Sequence, residues 1–147
     1  MAKAFDFRLE KLLELRRHKE EAARREVAAA NQAVAERNRL ILGLMGDEDA
    51  AKDAMREAGK GTIDVDRLRR AGEYAATLER QLQREYLALQ DLVKVEMEKR
   101  NRLAEVHKGV RVLERFRERK VQLHRLELDR EERRFLDEIG QNLAKGA

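Results

Sequence analysis

The chain has 147 residues, of which 42% are charged, and it contains no proline, tryptophan or cysteine. This length corresponds to one domain. The lack of cysteine excludes disulfide frameworks and thiolate metal sites. Aromatic residues make up 4% of the chain, which is too few for a compact globular core. The net charge of +4 is small beside 33 basic and 29 acidic residues, so total charge identifies no partner. Abundant helix-forming residues without proline are typical of long helices that pair as a coiled coil.

The first predicted element is a helix over about residues 5–58. Apolar residues recur at spacings of three and four from Leu9 to Met55, which is the pattern of a coiled-coil seam. Alanine at several of these positions would let a partner helix approach closely. Gly43 and Gly46 offer a rival place for the chain to reverse, but the apolar pattern continues past them.

The second predicted element is a turn at residues 59–62. Gly59 and Gly61 lie within three residues of each other, which makes this segment the strongest helix-breaking signal in the chain. Thr62 can cap the helix that follows. We therefore predict a second helix over about residues 63–143.

Folding the chain at the turn pairs residues whose numbers add to about 122. Leu44 then lies opposite Leu78, and Leu40 lies opposite Leu82, so apolar residues meet along the two helices. The predicted fold is all-α, with residues 1–147 as one domain. It is a long antiparallel two-helix coiled-coil hairpin in which helix 2 is longer than helix 1.

The same pairing leaves the end of helix 2 without a partner beyond about residue 118. Leu128, Phe135, Ile139 and Leu143 share one face of this overhang because they are spaced by seven, four and four, and Leu136 lies beside them. An unpaired apolar stripe on a helix indicates an interaction surface.

Charge is segmented along helix 2. Residues 99–125 carry ten basic and three acidic residues, whereas residues 126–143 carry three basic and six acidic ones. The basic band could bind an acidic protein or nucleic acid, or form a solvated face. Phe116 is its single aromatic residue, which disfavours a nucleic-acid interface, because such surfaces usually interleave aromatic side chains with basic ones.

No pattern in the chain indicates catalysis. The segment 54–62 looks like a phosphate-binding loop, but Gly61 stands where serine or threonine must follow Lys60. His18 and His107 approach each other in the predicted hairpin, yet two histidines without a third ligand make a poor metal site. Two helices enclose no pocket for a general acid or base. We expect no enzyme activity, no metal, no cofactor and no small-molecule substrate.

Four segments of the chain carry a recognisable pattern. They are the glycine turn, the tripeptide Glu98-Lys99-Arg100, the opening Phe5-x-Phe7-x-Leu9-x-x-Leu12-Leu13-x-x-Arg16 and the ending Glu131-Glu132-x-x-x-Leu136-Asp137-Glu138-Ile139. Together they resemble the FliJ family of coiled-coil proteins from the flagellar type III export apparatus, and the resemblance covers nearly the whole chain.

The resemblance implies a stalk that binds the flagellar export ATPase and promotes assembly of its ring. It also implies contacts with the membrane protein of the export gate and with export chaperones. The stripe at Leu128, Phe135, Leu136, Ile139 and Leu143 would bind the ATPase.

Tyr74 and Leu78, near the turn, would bind the membrane protein of the export gate.

The opening residues lack the apolar core of a secretory signal, and no apolar run is long enough to span a bilayer. We expect a cytoplasmic protein, peripherally associated with the inner membrane at the flagellar base. A coiled-coil stalk of a virulence-type III secretion system, or an adaptor or nucleic-acid-associated coiled coil, remains the alternative.

Overall fold

The computed structural model describes residues 3–146 of the chain. Its two helices are α1, Glu10–Ala58, and α2, Val65–Lys145, and the described residues contain no strand. The helices pack against each other, and α2 has 81 residues against 49 in α1. The predicted all-α hairpin with a longer second helix is confirmed.

The chain divides into two compact units. The hairpin unit is Ala23–Leu103, which contains the turn, and the terminal unit comprises the described residues on either side of it. Each unit has its own cluster of buried apolar side chains.

The turn between the helices spans residues 59–64. Gly61 adopts a φ of 68°, a left-handed conformation that glycine reaches without steric cost. Asp64 caps α2, because its Oδ1 accepts a hydrogen bond of 3.3 Å from the Arg67 amide. Helix α2 therefore begins at Val65, and Asp64 holds the capping position that the sequence suggested for Thr62.

The core of the hairpin unit lies between the two helices. Its buried residues are Ile41, Leu44, Ala51, Leu78 and Leu82. Leu44 and Leu78 thus share a cluster, as the pairing predicted. Leu40 does not join them, because it is 44% exposed and the neighbouring Ile41 takes the core position.

Helix α1 continues through Gly43 and Gly46, so the chain does not reverse there.

Charged side chains also form contacts between the two helices of the hairpin unit. Arg37 donates to the carboxylate of Glu85, and Lys99 lies 3.3 Å from the carboxylate of Glu26. The paired numbers add to 122 for the first contact and to 125 for the second, close to the predicted sum.

The terminal unit begins with a non-helical segment, residues 3–9, which we call the strap, and the last two residues of the strap form a turn that leads into α1. Helix α1 starts at Glu10 rather than near residue 5, because the strap packs along α2 instead of extending α1. Phe7 anchors the strap, since it is 6% exposed and packs in a cluster with Leu13, Val110 and Leu113.

Polar contacts reinforce the terminal unit. Arg117 donates to the carboxylate of Glu10 at 2.9 Å, and Arg16 donates to the backbone carbonyl of Gly109 at 3.1 Å. A Cβ at position 109 would stand only 3.3 Å from the Arg16 guanidinium, so glycine gives this arginine room to reach the backbone.

Candidate functional site

The last part of α2 carries an apolar face that nothing in the described chain covers. Every residue from 131 to 146 is exposed. Phe135 is 61% exposed and Ile139 is 40% exposed, and Leu136 and Leu143 are also exposed. Phe135, Ile139 and Leu143 follow one another at spacings of four, which places them on one side of the helix. The structure thus brings four of the five predicted ATPase-binding residues onto one bare helix end.

Leu128, the fifth residue of that set, has a different environment. It is partly buried and lines the groove between the strap and α2. The overhang was expected to begin near residue 118, but Leu128, which lines the groove beside the strap, is the last described residue of α2 that is not exposed. The uncovered end of the helix is therefore shorter than the sequence suggested, and it starts after Leu128.

A groove runs beside the strap in the terminal unit. It has a volume of about 720 Å³. The Phe5 ring lies 5.7 Å from the His124 ring, and the Phe7 ring lies 5.8 Å from that of Phe116. The Arg117 guanidinium lies 5.5 Å from the centre of the Phe5 ring. Ring–ring and cation–ring contacts of this kind stabilise the docked strap.

The two residues proposed for the export gate separate in the structure. Leu78 is 4% exposed and belongs to the core of the hairpin unit, so its side chain supports the fold and is not available to a partner. Tyr74 is 54% exposed. Its ring lines a shallow cavity of about 290 Å³ whose other walls are formed by Asp47, Ala50, Ala51, Ala54 and Ala71. The small alanine side chains leave room beside the tyrosine ring.

Part of the basic band serves the hairpin itself. Arg117 pairs with Glu10 in the terminal unit, and Lys99 pairs with Glu26 in the hairpin unit. A cation already held by a carboxylate of its own chain is less available to a polyanion. This use of charge favours the structural interpretation of the band over a nucleic-acid interface.

Lys60 and His107, the residues with potential for catalysis or metal binding, each form a contact with a glutamate of the same chain. Lys60 pairs with Glu57 at 3.1 Å beside the turn. His107 Nδ1 lies 2.9 Å from the buried carboxylate of Glu20, so His107 meets this glutamate and not His18. Within the described residues, no group of three or more metal-ligating side chains comes together.

Lys52 is an ionisable residue whose pKa is clearly perturbed. The hydrogen bond that the Lys52 ammonium donates to the carboxylate of Glu48, one helical turn earlier, raises the pKa of Lys52. Lys52 is fully exposed, so this shift reflects a surface ion pair rather than a desolvated reactive group.

No helix within the described residues is long and apolar enough to cross a membrane.

Comparison with known proteins gives one result. A family model described as Flagellar FliJ protein matches residues 5–147. The match includes residues 5–9 of the strap, both helices and the bare end of α2. No curated protein and no solved structure matches the chain.

Proposed function

This chain belongs to the FliJ family, which confirms the resemblance and makes it a coiled-coil component of the flagellar export apparatus, and we propose that it acts as a stalk for the export ATPase. The family is non-enzymatic. In this proposal the end of α2 binds the ATPase and promotes assembly of its ring. The protein changes the activity of a partner enzyme and has none of its own.

The bare apolar face at the end of α2 is the observation that carries this proposal. Exposed phenylalanine, isoleucine and leucine side chains add little to the stability of a single helix, whereas they gain free energy when a partner covers them. Phe135 is the natural anchor, because large aromatic side chains dominate interface energetics. Acidic and basic residues flank the face, and such charges orient a partner and speed its association.

We further propose that the turn-proximal part of the hairpin unit contacts the membrane protein of the export gate. Tyr74 supports this, because an exposed aromatic ring beside a shallow cavity is a common anchoring arrangement. Export chaperones are the third class of partner. The protein would then work in the cytoplasm, peripherally at the inner membrane beneath the flagellum.

The test of the ATPase proposal is the double variant Phe135→Ala with Ile139→Ala. We expect it to weaken binding to the export ATPase by roughly 2 kcal/mol or more, the scale of interface hot spots, as measured by titration calorimetry. The melting temperature and helicity of the free protein should stay nearly unchanged, because the Phe135 and Ile139 side chains are exposed.

Leu126→Ala is the matched control. Leu126 is 53% exposed on the same helix but faces away from the stripe, so its loss should leave ATPase binding intact.

In a second assay, the wild-type protein should raise the turnover rate of dilute ATPase, a condition in which ring assembly limits activity. ATPase binding by the double variant at wild-type strength, together with an unchanged turnover rate in the titration, would refute the proposal.

A further inference from the structure

The strap is held much more firmly at its inner end than at its outer end. The inner end is fixed by Phe7, which is 6% exposed and packs in the buried cluster of the terminal unit. The backbone carbonyl of Phe7 accepts a hydrogen bond of 3.0 Å from the Glu10 amide. The carbonyl of Leu9 accepts one of 2.9 Å from the Leu13 amide. Residues 7–9 are therefore tied both to the core and to the first turn of α1.

The outer end of the strap, residues 3–6, depends on one side chain. Phe5 is partly buried at the edge of the cluster, and its ring lies 5.7 Å from that of His124 and 5.5 Å from the Arg117 guanidinium. The other three residues of the outer end are exposed. Within residues 3–146, no hydrogen bond or ion pair joins the outer end to α2. A segment with so few buried contacts opens at a low cost in free energy.

The strap runs along α2 toward the bare end of that helix. The Phe7 ring meets that of Phe116, and the Phe5 ring meets that of His124, which lies two helical turns further along α2. Leu128 lies one turn beyond His124. The outer end is thus the part of the strap that reaches toward Leu128.

Leu128 belongs to the apolar stripe but is covered in the free protein. It lies seven residues before Phe135, so the two side chains share one face of α2. It lines the groove beside the strap and is partly buried, whereas Leu126 and Leu136 on the same helix are 53% and 58% exposed. A partner that covers Phe135 and extends along the same face therefore meets the strap at Leu128.

We propose that the outer end of the strap is a flap that closes over Leu128 in the free protein and lifts when the export ATPase binds. The hinge lies just before Phe7, where the firm anchoring ends. The flap acts on the proposed ATPase-binding face, so it rests on the proposed function. The flap and the ATPase compete for one apolar surface, and an ATPase that binds only the open form has its affinity scaled by the open fraction.

The test compares ATPase binding by the wild type and by Phe5→Ala in titration calorimetry. Phe5→Ala removes the ring contacts of the flap but leaves Phe7 in place. It should tighten ATPase binding by about threefold or more, because more molecules are open before the partner arrives. Adding Leu128→Ala should remove that gain. The control is Leu15→Ala, which truncates a 51% exposed leucine of the terminal unit outside the strap and should leave binding unchanged.

A distance measurement shows the movement directly. The chain has no cysteine, so spin labels attach only at introduced ones. Ala4→Cys and Arg130→Cys place one label on the flap and one on α2, both at exposed positions. Double electron–electron resonance should give a longer and broader distance distribution once the ATPase is added. Phe5→Ala should broaden the distribution without any ATPase.

Two results would overturn the flap. One is ATPase binding by Phe5→Ala that is equal to or weaker than that of the wild type, which is the outcome if the strap stays closed as part of the interface. The other is a label distance that saturating ATPase leaves unchanged.

The double variant Phe135→Ala with Ile139→Ala separates the flap from the proposed function. If the double variant loses ATPase binding and Phe5→Ala gains none, the flap alone is wrong. If the double variant binds at wild-type strength, the ATPase does not use this face, and the proposed function fails together with the flap.

Discussion

Replacing Phe7 by alanine should detach the strap from α2. Phe7 is 6% exposed and packs in the cluster of Leu13, Val110 and Leu113, and its ring also meets that of Phe116. Truncating a buried phenylalanine typically costs roughly 3–5 kcal/mol. Once detached, the strap regains roughly 1–2 kcal/mol of backbone conformational freedom per residue, which limits the loss. We expect the free energy of unfolding to fall by about 2 kcal/mol, measured by urea denaturation with circular dichroism.

A local probe can show whether the strap itself has moved. The chain has three histidines, and the ring of His124 lies 5.7 Å from that of Phe5. The ring current of Phe5 therefore shifts the imidazole proton signals of His124, and Phe7→Ala should return them toward ordinary values. Signals of His18 and His107 should not move.

The matched control for this experiment is Phe135→Ala. It removes the same side chain from the same unit, but Phe135 is 61% exposed, so stability should hardly change. If Phe7→Ala leaves both the urea midpoint and the His124 signals at wild-type values, the strap is not docked in solution and the reasoning about the shortened overhang is wrong.

Two further predictions concern the hairpin unit. Gly43→Ala and Gly46→Ala should each raise the free energy of unfolding by roughly 0.5–1 kcal/mol in urea denaturation, because an added Cβ meets nothing within 4 Å and alanine favours the helix. Gly61→Ala, at a φ of 68°, should lower that free energy instead, and equal effects at all three positions would contradict the argument. Tyr74→Ala should weaken binding to the gate protein by roughly 1 kcal/mol or more while the melting temperature stays constant. Tyr86→Ala is its control, since Tyr86 is similarly exposed at 43%, and an equal loss there would remove the case for Tyr74.

The two long helices and the turn follow from the sequence because their signals are local. Spacings of three and four mark the seam, and the glycines at 59 and 61 interrupt it. The exact core positions were harder to predict, since neighbouring apolar residues compete for the same place. The pairing of residue numbers placed Leu40 opposite Leu82, but Leu40 is 44% exposed and Ile41, which lies on the seam of three and four spacings, is buried; one residue of drift is enough to turn a side chain outward.

The strap was missed, although the sequence contains a signal for it. Phe5, Phe7 and Leu9 alternate with Asp6 and Arg8, and a period of two indicates an extended segment rather than a helix. The helical pattern that follows made residues 5–9 look like its first turn. Reading them as extended would have moved the start of α1 and shortened the predicted overhang.

The location of the candidate site followed from the sequence, but its limits did not. Phe135, Ile139 and Leu143 are visible as a stripe because their spacing fits one helix face. That Leu128 is partly covered depends on the strap, and that Leu78 is buried depends on packing between the helices. Both are tertiary facts that periodicity within one helix does not contain.

The strap can dock only late in the synthesis of the chain, because its partners on α2 are far from it in sequence. Contacts near the turn join residues close in sequence, such as Met45 and Tyr86, which are 41 positions apart, whereas Glu10 and Arg117 are 107 apart. Phe5 cannot meet His124 until the ribosome has made nearly all of α2. A nascent chain therefore carries two uncovered phenylalanines at its front through most of its synthesis. A chain that ends before residue 116 keeps Phe5 and Phe7 without the aromatic partners that cover them in the complete fold, His124 and Phe116.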